Sequence, residues 1–254
     1  MLKTVFAALL VTAASSAILP TRGAQDDRPE PFRQYLWWSK NDTTQDVVKA
    51  TDDAWAKIDL LFPLKIFNKS SSTIWVSMNG IVSLDEPNLE ISSVPERPLP
   101  VDPEIFSRDG ATTGYFPANA IAPFWRDMSM KAAAPETGVW VQYIHQEGAE
   151  YPQYHIYFRA CDKAEKDWAA GRERCGKGTR NFILMFGMDK PGTFQLMYLL
   201  GGEKDIQATV GVQSYPDYMS IPISTFYNET MECSMVSVDT NTRNLTVTPF
   251  SFCI

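Results

Sequence analysis

The sequence predicts a mostly β fold, a single sandwich of antiparallel strands. Short apolar segments recur along the chain with turn residues between them, which is typical of strands and not of long helices. In the clearest segment, Thr73–Met78, apolar and polar side chains alternate, and Asn79-Gly80 follows directly. That dipeptide is typical of a hairpin turn. A long Pro-rich loop and one short, disulfide-closed helical excursion complete the predicted domain.

Further strands are predicted before and after this hairpin. Ile58–Phe67 is a mostly apolar segment interrupted by Pro63. Thr73–Met78 and Ile81–Leu84 are then joined by a two-residue turn at Asn79-Gly80. The remaining predicted strands are Val139–His145, Gln153–Phe158, Asn181–Met188, Thr193–Leu200, Gln207–Gln213, Met231–Val238 and Leu245–Phe252.

Residues 85–120 are predicted to form the long loop. Prolines prevent a regular helix or a central strand there; they are Pro87, Pro95, Pro98, Pro100 and Pro103. Because long loops in compact domains are often functional, this segment is a candidate binding surface.

Residues 1–17 are predicted to be a secretory signal peptide. Lys3 supplies a positive charge, Val5–Ala14 is apolar apart from Thr12, and Ser15-Ser16-Ala17 provides small residues for cleavage after Ala17. The apolar run is shorter than the roughly 20 residues of a membrane-spanning helix, which argues against the alternative, an N-terminal membrane anchor.

The mature chain is expected to hold one domain. Residues 18–35 are polar and without periodicity, which predicts a flexible arm, and residues 36–254 form the single β-sandwich domain. The formal net charge is −7, and loss of Lys3 with the signal makes it −8. A chain this acidic is a poor candidate for binding nucleic acid or anionic membranes. No second long apolar run predicts a membrane span, and no motif predicts a cofactor or a metal.

The cysteines are even in number, which in an exported chain favours disulfides. They are Cys161, Cys175, Cys233 and Cys253. Of the three possible pairings, the nearest-neighbour solution, Cys161–Cys175 with Cys233–Cys253, is the one we favour. The first bridge would close the helical excursion Asp162–Arg174. A reduced pair or a zinc site is the alternative, although zinc requires four converging ligands.

Four sequons agree with export. They begin at Asn41, Asn68, Asn228 and Asn244. A sequon accepts a glycan only where the chain is exposed, so at least one of these positions is expected to carry one.

Three motifs carry a family resemblance: Asn79–Leu84, the run Ile121–Asp127, and Ala208–Gln213. In this order they resemble the nidogen-type extracellular domain, in which an Asn-Gly hairpin precedes an Ile-Ala-Pro-Phe-Trp-x-Asp stretch and an Ala-Thr-Val-Gly-like strand. The resemblance covers about residues 55–215. It implies an adhesion-type β domain, here as a small, free-standing secreted version. The segment 161–175, bounded by cysteines, departs from the family.

The run Ile121–Asp127 contains aromatic and charged residues that suit either a ligand site or packing. Phe124 and Trp125 could form a stacking platform for a ligand, but such a run more often packs a sheet against a loop. Asp127 beside Arg126 could act as an acid, although an ion pair is favoured. No motif identifies a catalytic residue.

The histidines and other tryptophans are weaker candidates. His145 and His155 flank a polar turn and could approach each other across a hairpin, though a solvated hairpin end is favoured. Trp168, inside the disulfide-closed loop, is a candidate binding residue. Trp37 and Trp38 are candidates for stacking on sugar rings, or for covering one end of the sandwich.

These features predict a secreted, non-enzymatic binding protein that acts at a cell surface, cell wall or host interface. Its partner would be an extracellular protein or a polysaccharide. One alternative is a secreted glycan-acting hydrolase with carboxylates from residues 85–127, for which two carboxylates about 5–9 Å apart would be required. The other is a purely structural coat component.

Overall fold

The computed structural model describes residues 43–48, 55–87, 98–103, 116–126, 128–129, 138–145, 151–162, 179–199, 208–221 and 234–249. These residues form fourteen β-strands and no helix: β1 (Thr43–Val48), β2 (Trp55–Ile66), β3 (Lys69–Ser77), β4 (Ile81–Ser83), β5 (Asn119–Trp125), β6 (Met128–Ser129), β7 (Gly138–Ile144), β8 (Gln153–Asp162), β9 (Thr179–Gly187), β10 (Thr193–Leu199), β11 (Thr209–Ser214), β12 (Asp217–Ile221), β13 (Ser234–Asp239) and β14 (Asn244–Pro249). Within these ranges no helix is long and apolar enough to cross a membrane.

The strands form two antiparallel sheets. The larger sheet has the order β1-β7-β8-β9-β10-β13-β14, with β6 also paired to β8, and the smaller has the order β12-β11-β5-β4-β3-β2. Their inner faces share one hydrophobic core, in which Ile74 and Val212 of the smaller sheet pack with Ile156, Leu184 and Val236 of the larger. Burial of such side chains contributes about 1.5–3 kcal/mol each. The predicted mostly β, two-sheet architecture is therefore confirmed.

The three sequence motifs occupy adjacent strands at the centre of the smaller sheet. Strand β4 pairs with β5 through Val82 and Ile121. Strand β5 pairs with β11, where Gly211 lies opposite Ala122 and Thr209 lies opposite Trp125. The motifs thus build one continuous piece of sheet, although about 130 residues of chain separate the first from the last.

The turn at Asn79-Gly80 differs from the prediction. Ser77 pairs with Ile81, so the loop has three residues, beginning at Met78, and not two. Gly80 has φ +73°, the left-handed conformation usual in a three-residue hairpin. The prediction missed this because Met78 continues the apolar alternation and is itself buried in the core.

A bulge in β5 explains how one short run serves both faces of the sheet. Between Gly211 and Thr209 the register shifts, so that β5 gains one residue at Pro123-Phe124. Proline has no N–H for the ladder and is tolerated at such irregularities. Because one extra residue exchanges the faces of a strand, Phe124 enters the inner core while Trp125 packs on the outer face.

Residues 98–103 and 116–118, which we name the covering loop, lie on that outer face. A single long loop over residues 85–120 is not supported, because β5 begins at Asn119 and residues 88–97 and 104–115 lie outside the described residues. Leu99, Val101 and Phe116 pack on Trp125, and the described stretches of the loop are irregular until β5 begins. The fully buried Gln213 holds the loop in place: its Oε1 accepts from Val101 N at 2.8 Å, and its Nε2 donates to Pro117 O at 2.9 Å.

Four strands were not predicted. Strand β5 begins inside the predicted loop and contains Pro123, which disfavours a central strand. Strand β1 is polar and lies at a sheet edge, where side-chain alternation carries little signal. Strand β12 is five residues long, and β6 only two. The predicted helical excursion lies outside the described residues except for Asp162, which instead ends β8.

One end of the sandwich gathers the hairpin turns, and we name it the turn end. Phe67 of the β2–β3 turn donates its N–H to Thr240 Oγ1 at 2.9 Å. Thr240 N donates to Gly192 O of the β9–β10 turn at 2.9 Å. Arg243 of the β13–β14 turn forms an ion pair with Asp217, next to the β11–β12 turn. These contacts align the turns of both sheets at one end.

Candidate functional site

The most exposed aromatic side chains of the described residues are tyrosines at the turn end. Tyr215, the first residue of the two-residue β11–β12 turn, is 40% exposed, and Tyr218, in β12 just after the turn, is 45% exposed. Tyr151, in the connection between β7 and β8, is 40% exposed. Tyrosine offers a large, rigid contact area with a hydroxyl at its tip, which suits recognition surfaces.

Tyr215 is held between the hairpin and the covering loop. Its N–H donates to Ala118 O at 2.9 Å, and its hydroxyl donates to Asp102 Oδ2 at 3.1 Å. Both anchors belong to the segment that packs on the outer face of the smaller sheet. The ring is therefore positioned before any ligand binds, which lowers the entropy lost on binding.

Tyr218 lies three residues later, on the face of the smaller sheet that the covering loop packs against. It is directly opposite Gln213 in the β11–β12 ladder, and opposite residues point to the same face. Gln213 is the buried residue that clamps Val101. We name Tyr215, Tyr218 and Asp102 the tyrosine surface; the exposed Pro100 adjoins it.

The backbone under the tyrosine surface is closely packed. A Cβ added to Gly211 would lie 2.3 Å from Met219 O and 2.9 Å from Leu99 Cδ1. Leu99 belongs to the covering loop, so glycine at this position lets the loop and β12 approach β11 closely. The loop and the hairpin consequently form one packed support for the two tyrosines.

A second polar arrangement lies on the outer face of the larger sheet. Tyr157 donates its hydroxyl to Gln142 Oε1 at 2.9 Å, and His155 Nδ1 lies 3.0 Å from that hydroxyl oxygen. Because the phenol has one proton, His155 Nδ1 is the donor in this contact. His155 Nε2 faces Gln153 Oε1 at 3.2 Å. We name these four residues the polar track.

Tyr157 and Gln142 of the polar track are buried, as is usual for residues that serve packing. Burial lowers the pKa of His155 from 6.5 to about 4, so the ring is neutral at physiological pH. Tyr157 is 1% exposed and packs with Trp140 and Ile183. Among the described residues, the imidazole contacts a phenol and an amide, which do not form a nucleophile–base pair.

Two pairs of residues that the sequence suggested as candidate sites do not form those sites. Phe124 is 7% exposed and Trp125 is 2% exposed, so neither offers a stacking platform. His155 lies opposite Gln142, while His145 is exposed and packs near Tyr143 at 6.5 Å between ring centroids. The histidines do not meet across the hairpin.

Two of the carboxylates of residues 85–127 that the structure describes, Asp85 and Asp102, accept hydrogen bonds from neighbours. Asp85 Oδ2 accepts from Asn119 N at 2.8 Å, which joins the end of β4 to the start of β5. Asp102 accepts from Tyr215. Asp127 lies outside the described residues. Within the described part of the chain, no group of three or more His, Cys, Asp or Glu residues is placed to hold a metal ion.

Several predicted site residues lie outside the described residues: Trp37, Trp38, Trp168, Asn41, Asn228, Cys175, Cys233 and Cys253. Two sequon asparagines are described and both are exposed, Asn68 in the β2–β3 turn and Asn244 at the start of β14. Sequence reasoning missed Tyr215 and Tyr218. The signal that could have found them is the Tyr-Pro-Asp-Tyr tetrapeptide, since proline and aspartate favour turns.

Comparisons of the chain with protein-family models, with curated proteins and with solved structures find no match.

Proposed function

We propose that this chain is a secreted, non-enzymatic binding protein that uses the tyrosine surface to hold an extracellular protein or a polysaccharide at a cell surface, cell wall or host interface. One observation carries the proposal: exposed tyrosines occupy the two-residue β11–β12 turn and the strand that follows it, and the Asp102 carboxylate anchors the first of them. Exposed rigid aromatics are common anchors of binding sites.

Charge restricts the ligand. The chain has a net charge of −7, and the charged groups at or beside the tyrosine surface are the Asp102 carboxylate and the Arg243–Asp217 ion pair. A polyanion would be repelled. A neutral glycan, whose sugar rings stack on tyrosine and whose hydroxyls donate to a carboxylate, fits this chemistry, and so does a neutral or basic protein segment.

Export remains part of the proposal. The predicted signal at residues 1–17 and the exposure of Asn68 and Asn244 support a secreted glycoprotein. The mature chain would carry the arm at 18–35, the domain at 36–254 with its Pro-rich loop, and the helical excursion between Cys161 and Cys175. The nidogen-type resemblance is supported by the adjacency of its three motifs in one sheet.

The strand registers support the nearest-neighbour disulfides. Cys161 pairs with Thr179, four residues after Cys175 along the chain, while Ser234, the neighbour of Cys233, pairs with Pro249. In the larger sheet β8 and β13 are three strand spacings apart, about 14 Å at 4.7–4.9 Å each. A disulfide needs its Cα atoms within about 7 Å, which disfavours Cys161–Cys233.

The test is capture with the secreted, glycosylated protein. We expect binding to a glycan array or to extracellular proteins, and we expect Tyr215→Ala together with Tyr218→Ala to abolish it. Tyr151→Ala is the matched control, because Tyr151 has the same exposure as Tyr215 but lies in another connection. Equal loss in both variants would refute the assignment, as would turnover of a captured polysaccharide.

A further inference from the structure

The four strands at the ends of the two described sheet orders, β1, β14, β12 and β2, differ in how they discourage pairing with another chain. An open edge presents unpaired N–H and C=O groups, and proteins commonly block it with charges, proline or bulges. Strand β1 contains Asp46 and an irregularity beside it. Strand β2 contains Lys57, Asp59 and Pro63, with an irregular register between Asp59 and Leu64. Strand β12 begins at Asp217, which is paired with Arg243.

Strand β14 has none of these devices along its length. Asn244–Pro249 contains no charged residue, and its only proline is the last residue. Its register with β13 is continuous over all six pairs. Among the described strands, none pairs with its other edge. Unlike the other three, β14 contains no charged residue, and Thr246, Val247 and Thr248 are β-branched.

The strand also extends beyond the core. Leu245 packs against the inner core, whereas Val247, two residues later on the same face, is 41% exposed. Thr246 and Thr248, on the opposite face, are exposed as well. Side chains on both faces of β14 near Val247 are therefore exposed. A strand that pairs with the edge of β14 would have room for its own side chains on both faces.

We propose that β14 pairs with β14 of a second copy of this chain, antiparallel, about a twofold axis at Val247. The sequence around that position is self-complementary: Thr246 of one protomer would lie opposite Thr248 of its partner, on both sides of the axis. Threonine pairs directly across a ladder are favourable, and β-branched residues suit the pleated surface. The two larger sheets would become one continuous sheet, with a closed, isologous contact.

The Asn244 sequon is compatible with this arrangement. The pairing uses residues 245–249, so Asn244 lies at the end of the paired stretch. Its side chain shares the face of Thr246 and Thr248 by strand alternation. A glycan there would project from the sheet face and not from the edge.

The test is the mass of the secreted protein in solution, measured by light scattering over a dilution series. We expect a concentration-dependent dimer. Val247→Lys should weaken dimerisation by about tenfold or more, equivalent to about 1.4 kcal/mol, because two like charges would face each other at the axis. Val247→Thr, which keeps the β-branch, should retain the dimer. The control Met188→Lys alters a 45% exposed apolar residue in the β9–β10 turn, away from β14, and should leave the dimer intact.

A mixture of Val247→Lys and Val247→Glu proteins tests the register itself. Opposite charges at the axis should restore dimers in the mixture but not in either protein alone. A monomeric wild type at every concentration would overturn the proposal, as would a Val247→Lys protein that dimerises as the wild type does. Failure of the tyrosine surface to bind a ligand would leave these masses unchanged.

Discussion

Two sets of aromatic residues in this chain have opposite environments. Phe124 and Trp125 belong to the most conspicuous motif of the sequence, and both are buried, one on each face of the smaller sheet. Tyr215 and Tyr218 belong to an inconspicuous segment, and both are exposed. The comparison teaches that a conspicuous aromatic motif can serve only the packing of the fold. The aromatic surface available to a ligand lies instead on the short β11–β12 turn and the strand after it.

The largest effect is expected from Trp125→Ala. Trp125 is 2% exposed and its ring lies 4.4 Å from that of Phe116 between centroids, so truncation leaves a cavity beneath the covering loop. We expect a loss of about 3–5 kcal/mol in the free energy of unfolding, measured by denaturant titration. Trp75→Ala, at a half-buried tryptophan, is the control and should cost less. If Trp125→Ala lowered the free energy of unfolding no more than Trp75→Ala does, the assignment of Trp125 to the packed core would be wrong.

A smaller loss is expected from Gly80→Ala. Gly80 has φ +73°, and an added Cβ would lie 2.1 Å from the carbonyl oxygen of Phe124. Because the obstacle is backbone, we expect a cost of about 1–3 kcal/mol or more in unfolding free energy. At Gly187 the added Cβ would meet the side chain of Asp189, which can move, so Gly187→Ala should be nearly neutral. Equal costs for the two substitutions would show that the Asn-Gly turn is not clamped to β5.

A pH effect is expected from the polar track. His155 has a folded pKa of about 4, below its usual 6.5, so the unfolded chain binds the proton more tightly. Stability should therefore be highest above pH 6.5 and fall as the pH drops from about 6.5 towards about 4. His155→Gln should flatten the part of this decline above about pH 5, before carboxylates titrate. Denaturant midpoints at several pH values measure it, and an unchanged decline in the variant would assign the pH dependence to other groups.

The parts of the fold that sequence predicted are those with strong local patterns. The alternation in Thr73–Met78 is fully visible in the chain, and its apolar side is buried as expected. The bulge at Pro123-Phe124 was not predictable, because it depends on pairing with Thr209 and Gly211, about 85 residues away. The length of the Asn-Gly turn depended in the same way on where β4 pairs with β3.

The candidate site was not predicted for a related reason. Exposure of Tyr218 requires knowing that β12 is an edge strand and that its partner Gln213 faces the covering loop. Neither relation is local in sequence. The sequence pointed instead to Trp168, because it lies among charged residues, and to Trp37 and Trp38, because adjacent tryptophans suit stacking on sugar rings. These three residues lie outside the described residues and stay predictions.

The most direct test of the division between architecture and recognition is a pair of measurements on Tyr218→Ala: the free energy of unfolding and the affinity for the captured ligand. We expect an unfolding free energy within about 0.5 kcal/mol of wild type, as is usual for surface positions, and an affinity at least about thirtyfold weaker, the scale of a truncated hot-spot aromatic. A variant that unfolds readily, or one that binds as tightly as the wild type, would contradict the proposal that Tyr218 belongs to a binding surface.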